Sequence, residues 1–232
     1  DASATGIGTI DSAGSVNNDS GFSIVSYTGT GSNGTVKHGL NSVPKMFIVK
    51  ELSNANSWEV YHVSQGAGKN AQLNTTAAFE SAGSSRWNST APTSSVFSIG
   101  TDSGVNRSSS NFITYCFAEK QGYLKTGKWI GNGNNDGPFS FCGFKPAFIM
   151  IKRTDVAKNW YINDNLRLGY NVNNPYISPN ITAAETGGTE IDILSNGFKI
   201  RASGTGHNQS GGTYIYMAIA ENPFVTSTGV PA

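Results

Sequence analysis

The sequence predicts an all-β protein built from two tandem β-sandwich-like lobes that are related by internal duplication. Two observations lead to this prediction: a composition rich in turn-forming residues, and a set of segments that occur twice. Charged residues make up 13% of the chain, against about a quarter in an ordinary globular protein. Gly, Ser, Thr and Asn are abundant, and they suit short strands joined by many turns. Runs of helix-forming residues at helical period are missing, which disfavours long helices.

The repeat is clearest in an apolar segment that follows a proline and ends in a lysine. It runs from Pro44 to Lys50 in the first copy and from Pro146 to Lys152 in the second, a separation of 102 residues. Proline is tolerated at the first residue of a strand because its missing N–H is not needed there. The nearly continuous apolar run that follows predicts a central strand buried on both faces.

Other segments recur in the same order on either side of this strand. Before it, an aromatic residue leads into a Gly-X-Gly turn, at Tyr27 in the first copy and Trp129 in the second. After it, Trp58 and Trp160 each open a further strand, and we expect both rings to anchor the core. Each copy then closes with a short strand, a polar loop and a long strand.

These matches define the expected domain boundaries. Residues 21–120 form the first β-repeat and residues 121–224 the second. The preceding residues 1–20, which are rich in Gly, Ser, Ala and Asn, are predicted to be a linker or an extended N-terminal segment. Residues 225–232 are predicted to be a flexible C-terminal tail.

The two copies diverge most over residues 64–95 and 165–190. Variable segments on a repeated scaffold are where binding loops usually lie. Aromatic faces stack on the apolar C–H patches of sugars while amides bind their hydroxyl groups. We therefore take Trp87, Asn88, Tyr170 and Tyr176 as candidate ligand-binding residues, the alternative for each being that it packs on the adjacent lobe.

No motif predicts a metal or a cofactor. The three histidines lack the spacing of a zinc site. Cys116 and Cys142 lie in apolar, strand-like runs, which favours free buried thiols over a disulfide. Residues 131–137 are rich in oxygen ligands, as in a calcium loop, but they lack the acidic spacing of an EF-hand, and a hairpin turn is the favoured interpretation.

Nothing in the sequence predicts catalysis, nucleic-acid binding or membrane insertion. Glycoside hydrolysis needs two facing carboxylates; Asp164, Glu190 and Asp192 are the candidates, but their spacing does not single them out. A net charge of +1, with 16 Lys and Arg spread thinly, disfavours nucleic acid. No apolar run approaches the roughly 18–20 residues that cross a bilayer. We therefore expect a non-catalytic protein.

Four ordered strings stand out in the chain: residues 21–31, 38–50, 87–98 and 143–155. They resemble a domain of tail-fibre and other virion-associated proteins of tailed, especially marine, bacteriophages. The resemblance covers about residues 21–224, and it implies a place on the virus particle and contact with the host surface. It carries no catalytic residues. A first residue other than Met is compatible with a fragment or a processed product.

Three functions follow as hypotheses. The first is a tail-fibre or receptor-binding module whose loops contact a host-surface glycan or protein. The second is a structural assembly subunit, such as a capsid decoration, tail or filament component, which pairs with other virion proteins or with itself. The resemblance implies a homo-oligomer, and trimers are common among phage fibres. The third and weakest is a polysaccharide depolymerase.

Overall fold

A computed structural model describes residues 5–167, Asn171 and residues 175–222. Strands and turns dominate these residues, which confirms the all-β prediction. Within the same ranges, no helix has the length and apolar character needed to cross a membrane.

The chain divides into two compact units, each described by itself. Unit 1 comprises Asp1–Leu73 and Phe79–Glu119, and unit 2 comprises Asn74–Ala78 and Lys120–Ala232. The elements of unit 1 are β1 (Ser12–Asn17), β2 (Phe22–Thr28), β3 (Gly34–Lys37), β4 (Met46–Glu51), β5 (Trp58–His62), β6 (Lys69–Gln72), β7 (Glu80–Ser81), β8 (Val96–Ile99), α1 (Ser103–Asn106) and β9 (Asn111–Phe117). The elements of unit 2 are β10 (Leu124–Ile130), β11 (Phe139–Phe141), β12 (Pro146–Arg153), β13 (Trp160–Asp164), β14 (Tyr176–Ile177), β15 (Ile191–Leu194), β16 (Gly197–Ile200) and β17 (Thr213–Ala220).

In unit 1, a large and a small sheet enclose the core. The large sheet has the strand order β1-β2-β9-β4-β5-β6-β7, and β3 pairs with β8 in the small one. Tyr27 of β2 and Phe47 of β4 meet Phe97 of β8, with ring centroids 6.2 Å and 5.1 Å apart. All three rings are buried, so aromatic packing between the sheets forms the centre of this core.

Unit 2 repeats this arrangement. Its large sheet has the order β10-β17-β12-β13-β14, and its second sheet has the order β11-β16-β15. Trp129 of β10 stacks on Tyr214 of β17 at 5.1 Å and meets Phe198 of β16 edge-on at 5.9 Å. The order β2-β9-β4-β5 therefore matches β10-β17-β12-β13. Internal duplication predicts such a match, and the duplication itself stays a prediction.

The strands that follow the paired prolines are buried on both faces, as predicted. Four consecutive residues of β4, Met46 to Val49, are buried, and so are five consecutive residues of β12, Ile149 to Arg153. Strands that face solvent on one side alternate between buried and exposed residues. The continuous apolar run is thus explained by two-sided burial.

The paired tryptophans and the cysteines agree with expectation to different extents. Trp160 is fully buried, whereas Trp58 is half-buried and stacks on Tyr115 at 6.3 Å.

Cys116 and Cys142 are buried and carry free thiols. Burial raises the pKa of each thiol to about 12, so both remain protonated at neutral pH.

Residues 1–20 are not only a linker, because part of this segment is a strand of the large sheet. β1 pairs with β2 from Ser12 opposite Tyr27 to Asn17 opposite Phe22. Ile10 is buried in the core just before β1. Ser12 is buried and the side chains of residues 13–17 are exposed, so the segment lacks the apolar alternation that marks a half-buried strand. The predicted tail, residues 225–232, lies outside the described residues.

A buried asparagine fastens the Gly-X-Gly turn of each unit. In unit 1, Asn106 Oδ1 accepts a hydrogen bond from Thr30 N (2.8 Å), and its Nδ2 donates to the carbonyl two residues after Thr30 (2.6 Å). In unit 2, Asn208 makes the same two bonds, from Asn132 N (2.9 Å) and to the carbonyl two residues later (2.7 Å). Both amides are fully buried. Each turn is therefore held by an asparagine from the segment that precedes the last strand of its unit.

The lysine next to the last residue of each central strand is also structural. Lys50 Nζ donates to Asn56 O, and Lys152 Nζ donates to Lys158 O, both at 2.8 Å. Each lysine thus satisfies a carbonyl in the loop that joins its strand to the next. Burial lowers the pKa of Lys152 to about 8.

Candidate functional site

The divergent segment of unit 1 folds Trp87 into the core. Its ring is fully buried and meets Phe47 and Tyr61 edge-on, with centroids 5.0 Å and 6.3 Å apart. The indole Nε1 donates to Lys69 O at 3.1 Å, so its polar group is satisfied inside the unit. The prediction that Trp87 binds a sugar is therefore wrong in this structure, because a ring without an exposed face cannot stack on a ligand.

Arg86 explains why this polar segment turns inward. Its Nη1 lies 2.7 Å from Glu59 Oε1 and 2.8 Å from Asp102 Oδ1. The buried Glu59 also accepts hydrogen bonds from Asn70 (2.9 Å) and Gln72 (3.0 Å). Burial raises the pKa of Glu59, and Arg86 opposes that effect. A buried carboxylate needs a cation and hydrogen-bond donors, so Arg86 is held at the core and the next residue follows it inward.

The other three candidate ligand-binding residues have different outcomes. Asn88 is partly exposed and has a φ of 48°, a left-handed conformation that asparagine tolerates better than most residues. It does not stand beside an exposed face of Trp87. Tyr170 lies outside the described residues. Tyr176 begins β14 of unit 2 and is half-buried.

Tyr176 belongs to a group of side chains that we call the Tyr–His cluster. Its ring centroid lies 5.2 Å from that of Tyr161 and 5.9 Å from that of His207. The rings of Tyr161 and His207 are closer still, at 4.3 Å. His207 Nδ1 lies 3.5 Å from Glu190 Oε2. The cluster therefore consists of Tyr161, Tyr176, Glu190 and His207.

The cluster is assembled from strands and loops that are distant in sequence. Tyr161 lies on β13, Glu190 directly precedes β15, and His207 lies in the loop between β16 and β17. Tyr176 and Thr186 exchange backbone hydrogen bonds of 2.9 Å and 3.1 Å, which close the loop after β14. Gly206 is required beside His207, because a Cβ there would lie 2.6 Å from Tyr161 Oη.

Burial controls the protonation of the cluster. It lowers the pKa of His207 to about 4, so this imidazole is neutral at pH 7 and its contact with Glu190 is not an ion pair there. Burial also raises the pKa of Glu190. It raises the pKa of Tyr161 to about 12, with further contributions from Tyr176 and Glu190. At neutral pH the cluster therefore presents two phenols, a neutral imidazole and a partly exposed carboxylate.

Two buried polar groups in and beside the cluster keep unused hydrogen-bonding capacity. Asn163 lies opposite Tyr176 in the β13–β14 register and is 1% exposed. Neither amide atom of Asn163, nor His207 Nε2, has a hydrogen-bond partner in the part of the chain that the structure describes. Buried polar atoms are nearly always paired with protein or water. These atoms are therefore polar groups of the interior whose hydrogen bonds the described residues leave unmade.

Two of the three carboxylates weighed as catalytic candidates are matched with a basic group. Asp164 Oδ2 lies 2.7 Å from Arg167 Nε, and Asp192 Oδ2 lies 3.1 Å from Arg201 Nε. Glu190 is the candidate that joins the Tyr–His cluster. Asp164 and Asp192 therefore each form an ion pair with an arginine.

The oxygen-rich loop of residues 131–137 uses its side chains within the protein. Asn132 Oδ1 accepts hydrogen bonds from Asn134 N and Asn208 Nδ2, and Asn134 Oδ1 accepts from Asp136 N. Asp136 Oδ1 lies 2.8 Å from Lys199 Nζ. Across the described residues, no group of three or more His, Cys, Asp or Glu side chains is placed to hold a metal ion.

Sequence reasoning missed His207 because a lone histidine in a polar loop resembles a surface residue. The available signal was its position. His207 directly precedes Asn208 and corresponds, 102 residues apart, to Val105, which is fully buried in the core of unit 1. A histidine at a position equivalent to a core valine indicates a buried imidazole.

The chain belongs to the family described as domain of unknown function DUF7483, whose family model matches residues 1–223. No curated protein and no solved structure shows significant similarity to it.

Proposed function

We propose that the chain is a non-catalytic, virion-associated module of a phage tail fibre, and that unit 2 binds a host-surface glycan at the Tyr–His cluster. The observation that carries the proposal is the half-buried ring of Tyr176 beside the partly exposed carboxylate of Glu190. A ring face suits the C–H patches of a sugar, and a carboxylate oxygen accepts bonds from its hydroxyl groups. The phage context rests on the resemblance described above.

The charge of the cluster narrows the class of glycan. Glu190 is its only acidic member, and the imidazole of His207 is neutral at pH 7. An acidic sugar would place a second negative charge beside Glu190 without a cation from the cluster. Neutral hexoses and amino sugars therefore fit better than uronic or sialic acids.

Binding to an array of bacterial glycans tests the proposal. We expect Tyr176→Ala and Glu190→Gln each to lower the affinity for a bound neutral glycan by at least about tenfold, the loss expected for a central contact. Phe141→Ala is the matched control, because Phe141 is an aromatic residue of unit 2 that is 63% exposed and lies on β11.

Each other outcome of this experiment contradicts the proposal in a defined way. Loss of binding in the Phe141 variant but not in the Tyr176 variant would move the site to β11. Absence of binding to every glycan would contradict glycan recognition. Release of reducing ends, abolished by Glu190→Gln, would establish a depolymerase.

A structural assembly subunit is the second candidate, and a different observation favours it. Unit 2 exposes three large apolar side chains on β10 and β11, namely Ile130, Phe139 and Phe141. Large exposed apolar side chains are candidates for protein contacts when they form a continuous patch. Substituting these three side chains and measuring the mass of the protein in solution separates this candidate from the first.

A further inference from the structure

The small sheets of the two units contain a pair of corresponding strands, β3 in unit 1 and β11 in unit 2. β3 pairs with β8, where Val36 lies opposite Phe97. β11 pairs with β16, where Ser140 lies opposite Phe198. Both phenylalanines are fully buried. Aligned on them, residue 140 takes the place of residue 36, so the two strands can be compared residue by residue.

In unit 1, the outer edge of β3 is covered by the N-terminal segment of the same unit. Thr9 N and Ile10 N donate to Thr35 O, at 2.9 Å and 3.1 Å, and Thr35 N donates to Thr9 Oγ1 at 2.9 Å. Ser12 Oγ donates to Lys37 O at 3.0 Å. The backbone groups that β3 directs away from β8 are therefore paired inside unit 1.

In unit 2, the corresponding groups of β11 have fewer partners. Ile200 N donates to Pro138 O at 3.0 Å. Successive residues of an antiparallel strand bond on opposite sides, so Phe139 and Phe141 direct their backbone groups away from β16. Across the described residues, no hydrogen bond reaches the N–H or C=O of Phe139 or the N–H of Phe141. The Phe141 carbonyl accepts one long bond, 3.4 Å from Tyr216 Oη, and can accept a second.

The opposite edge of the same sheet is closed by a side chain. Asn171 Nδ2 donates to Ile193 O at 2.7 Å, and its Oδ1 accepts from Ile193 N at 2.5 Å. Ile193 lies on β15, which is the other terminal strand of this sheet. Among the residues that the structure describes, β11 therefore forms the open edge of the small sheet in unit 2.

The side chains of β11 favour pairing with another strand. Phe139 and Phe141 are 45% and 63% exposed, and they lie on one face because the intervening Ser140 is buried. Residues 137–144 contain no charged side chain. Edge strands are commonly protected by charged residues, above all by lysine. β3 carries Lys37 as well as its covering segment, whereas β11 has neither protection.

We propose that two copies of this chain pair through β11 as an antiparallel, two-fold dimer, with Phe139 of one copy opposite Phe141 of the other. In this register the outward N–H and C=O groups of the two residues bond across the contact. The exposed rings of both copies lie on one face, where cross-strand aromatic pairs are favourable. An uncharged strand also meets its own copy without repulsion between like charges.

The contact is closed and small. Both copies use the same patch, so a two-fold contact closes at the dimer and does not grow into a chain. Each copy contributes a strand of three residues, and small interfaces are typically weak. The dimer is therefore expected to form at high chain concentration and to dissociate on dilution.

The inference deepens the assembly candidate and rests on no part of the glycan proposal. No residue of β11 belongs to the Tyr–His cluster, and the association is measured without a glycan. The two proposals can therefore fail independently.

Sedimentation of the intact chain over a dilution series tests the pairing. The wild type is expected to show a reversible, concentration-dependent shift from monomer to dimer. Phe139→Lys with Phe141→Lys removes both rings and sets like charges against each other across the two-fold axis. This variant is expected to associate at least about tenfold more weakly than the wild type.

A second double variant tests the register. In Phe139→Lys with Phe141→Glu, each introduced lysine faces an introduced glutamate of the other copy. This variant is expected to associate at least about tenfold more strongly than the double-lysine variant, and salt should weaken its association. In any register that sets each position against itself, the same variant would oppose like charges and stay monomeric.

Leu166→Lys with Ile181→Lys is the matched control. Both side chains belong to unit 2, lie outside β11 and are 91% and 43% exposed. The control adds the same charge as the double-lysine variant and is expected to associate like the wild type. Circular dichroism checks that every variant is folded.

Four results would overturn the proposal. The first is a wild type that stays monomeric up to about 1 mM. The second is a double-lysine variant that associates as strongly as the wild type, which would place the contact elsewhere. The third is a lysine–glutamate variant that associates no better than the double-lysine variant, which would exclude the register. The fourth is a control that loses association equally, which would reduce the effect to net charge.

Discussion

The two units share a strand order but use their divergent segments in opposite ways. In unit 1, Arg86 reaches a buried carboxylate and Trp87 fills the core. In unit 2, Tyr176 and Glu190 stay partly exposed above a buried imidazole. The comparison teaches that, of two units with the same strand order, one can be closed by an aromatic residue while the other keeps polar side chains accessible.

One pair of corresponding positions illustrates the difference. Val105 in unit 1 and His207 in unit 2 both directly precede the buried asparagine that fastens a turn. The carbonyl of each accepts a hydrogen bond from the aromatic residue before the Gly-X-Gly turn, Tyr27 Oη at 2.6 Å and Trp129 Nε1 at 3.1 Å. The backbone role is therefore kept, while the side chain changes from apolar to titratable.

The largest expected effect comes from removing the core tryptophan of unit 1. Trp87→Ala is expected to lower the free energy of unfolding by about 3–5 kcal/mol, because it deletes a fully buried ring. Tyr176→Ala is the matched comparison in unit 2 and should cost clearly less, since this ring is only half-buried. Urea unfolding measures both. If the two variants lost equal free energy of unfolding, the contrast between the closed segment of unit 1 and the accessible segment of unit 2 would be contradicted.

The next effect is a pH dependence that the buried imidazole of His207 adds to unit 2. The pKa of His207 is about 4 in the folded state, against about 6.5 in an unfolded chain. The unfolded state therefore binds a proton first as the pH falls, so stability that is present above pH 6.5 is lost between about 6.5 and 4. The loss is on the order of 3 kcal/mol.

His207→Val copies the residue of unit 1 and should remove this part of the acid sensitivity. The measurement is the free energy of unfolding from pH 7.5 to 4.5 for the wild type and the variant. As the pH falls, the free energy of unfolding of the wild type should fall relative to that of the variant. A constant difference across this range would contradict a buried, neutral imidazole.

The smallest of these effects should be the same in both units. Asn106→Ala and Asn208→Ala each leave a turn N–H and a carbonyl without their partner, and each should cost about 2 kcal/mol. Chemical denaturation of the two variants checks the equivalence. A large loss for one and none for the other would show that the turns are not held in the same way.

Features that depend on local pattern could be predicted from the sequence. Continuous apolar runs after Pro44 and Pro146 identified strands buried on both faces, because burial on both sides demands apolar residues at every position. The apolar surroundings of Cys116 and Cys142 predicted buried thiols for the same reason. These properties depend on neighbouring residues and so are visible in the chain.

Features that depend on long-range partners could not be predicted in the same way. Trp87 stands in a polar segment, and its inward position depends on Arg86 meeting Glu59, which is 27 residues earlier in the chain. β1 was missed because an edge strand with exposed Ser, Gly and Ala carries no apolar alternation. Asn106 and Asn208 share the 102-residue spacing of the prolines, a signal that could have identified them.

The central claim is that unit 2 offers a ligand site where unit 1 is closed, and two indole resonances report on it directly. Trp129 Nε1 donates to the carbonyl of His207 in the Tyr–His cluster, whereas Trp87 Nε1 donates to Lys69 O in the core of unit 1. NMR titration of the intact protein with a glycan that it binds should shift the Trp129 indole signal and leave that of Trp87 unchanged. A shift of the Trp87 signal with an unchanged Trp129 signal would contradict the account.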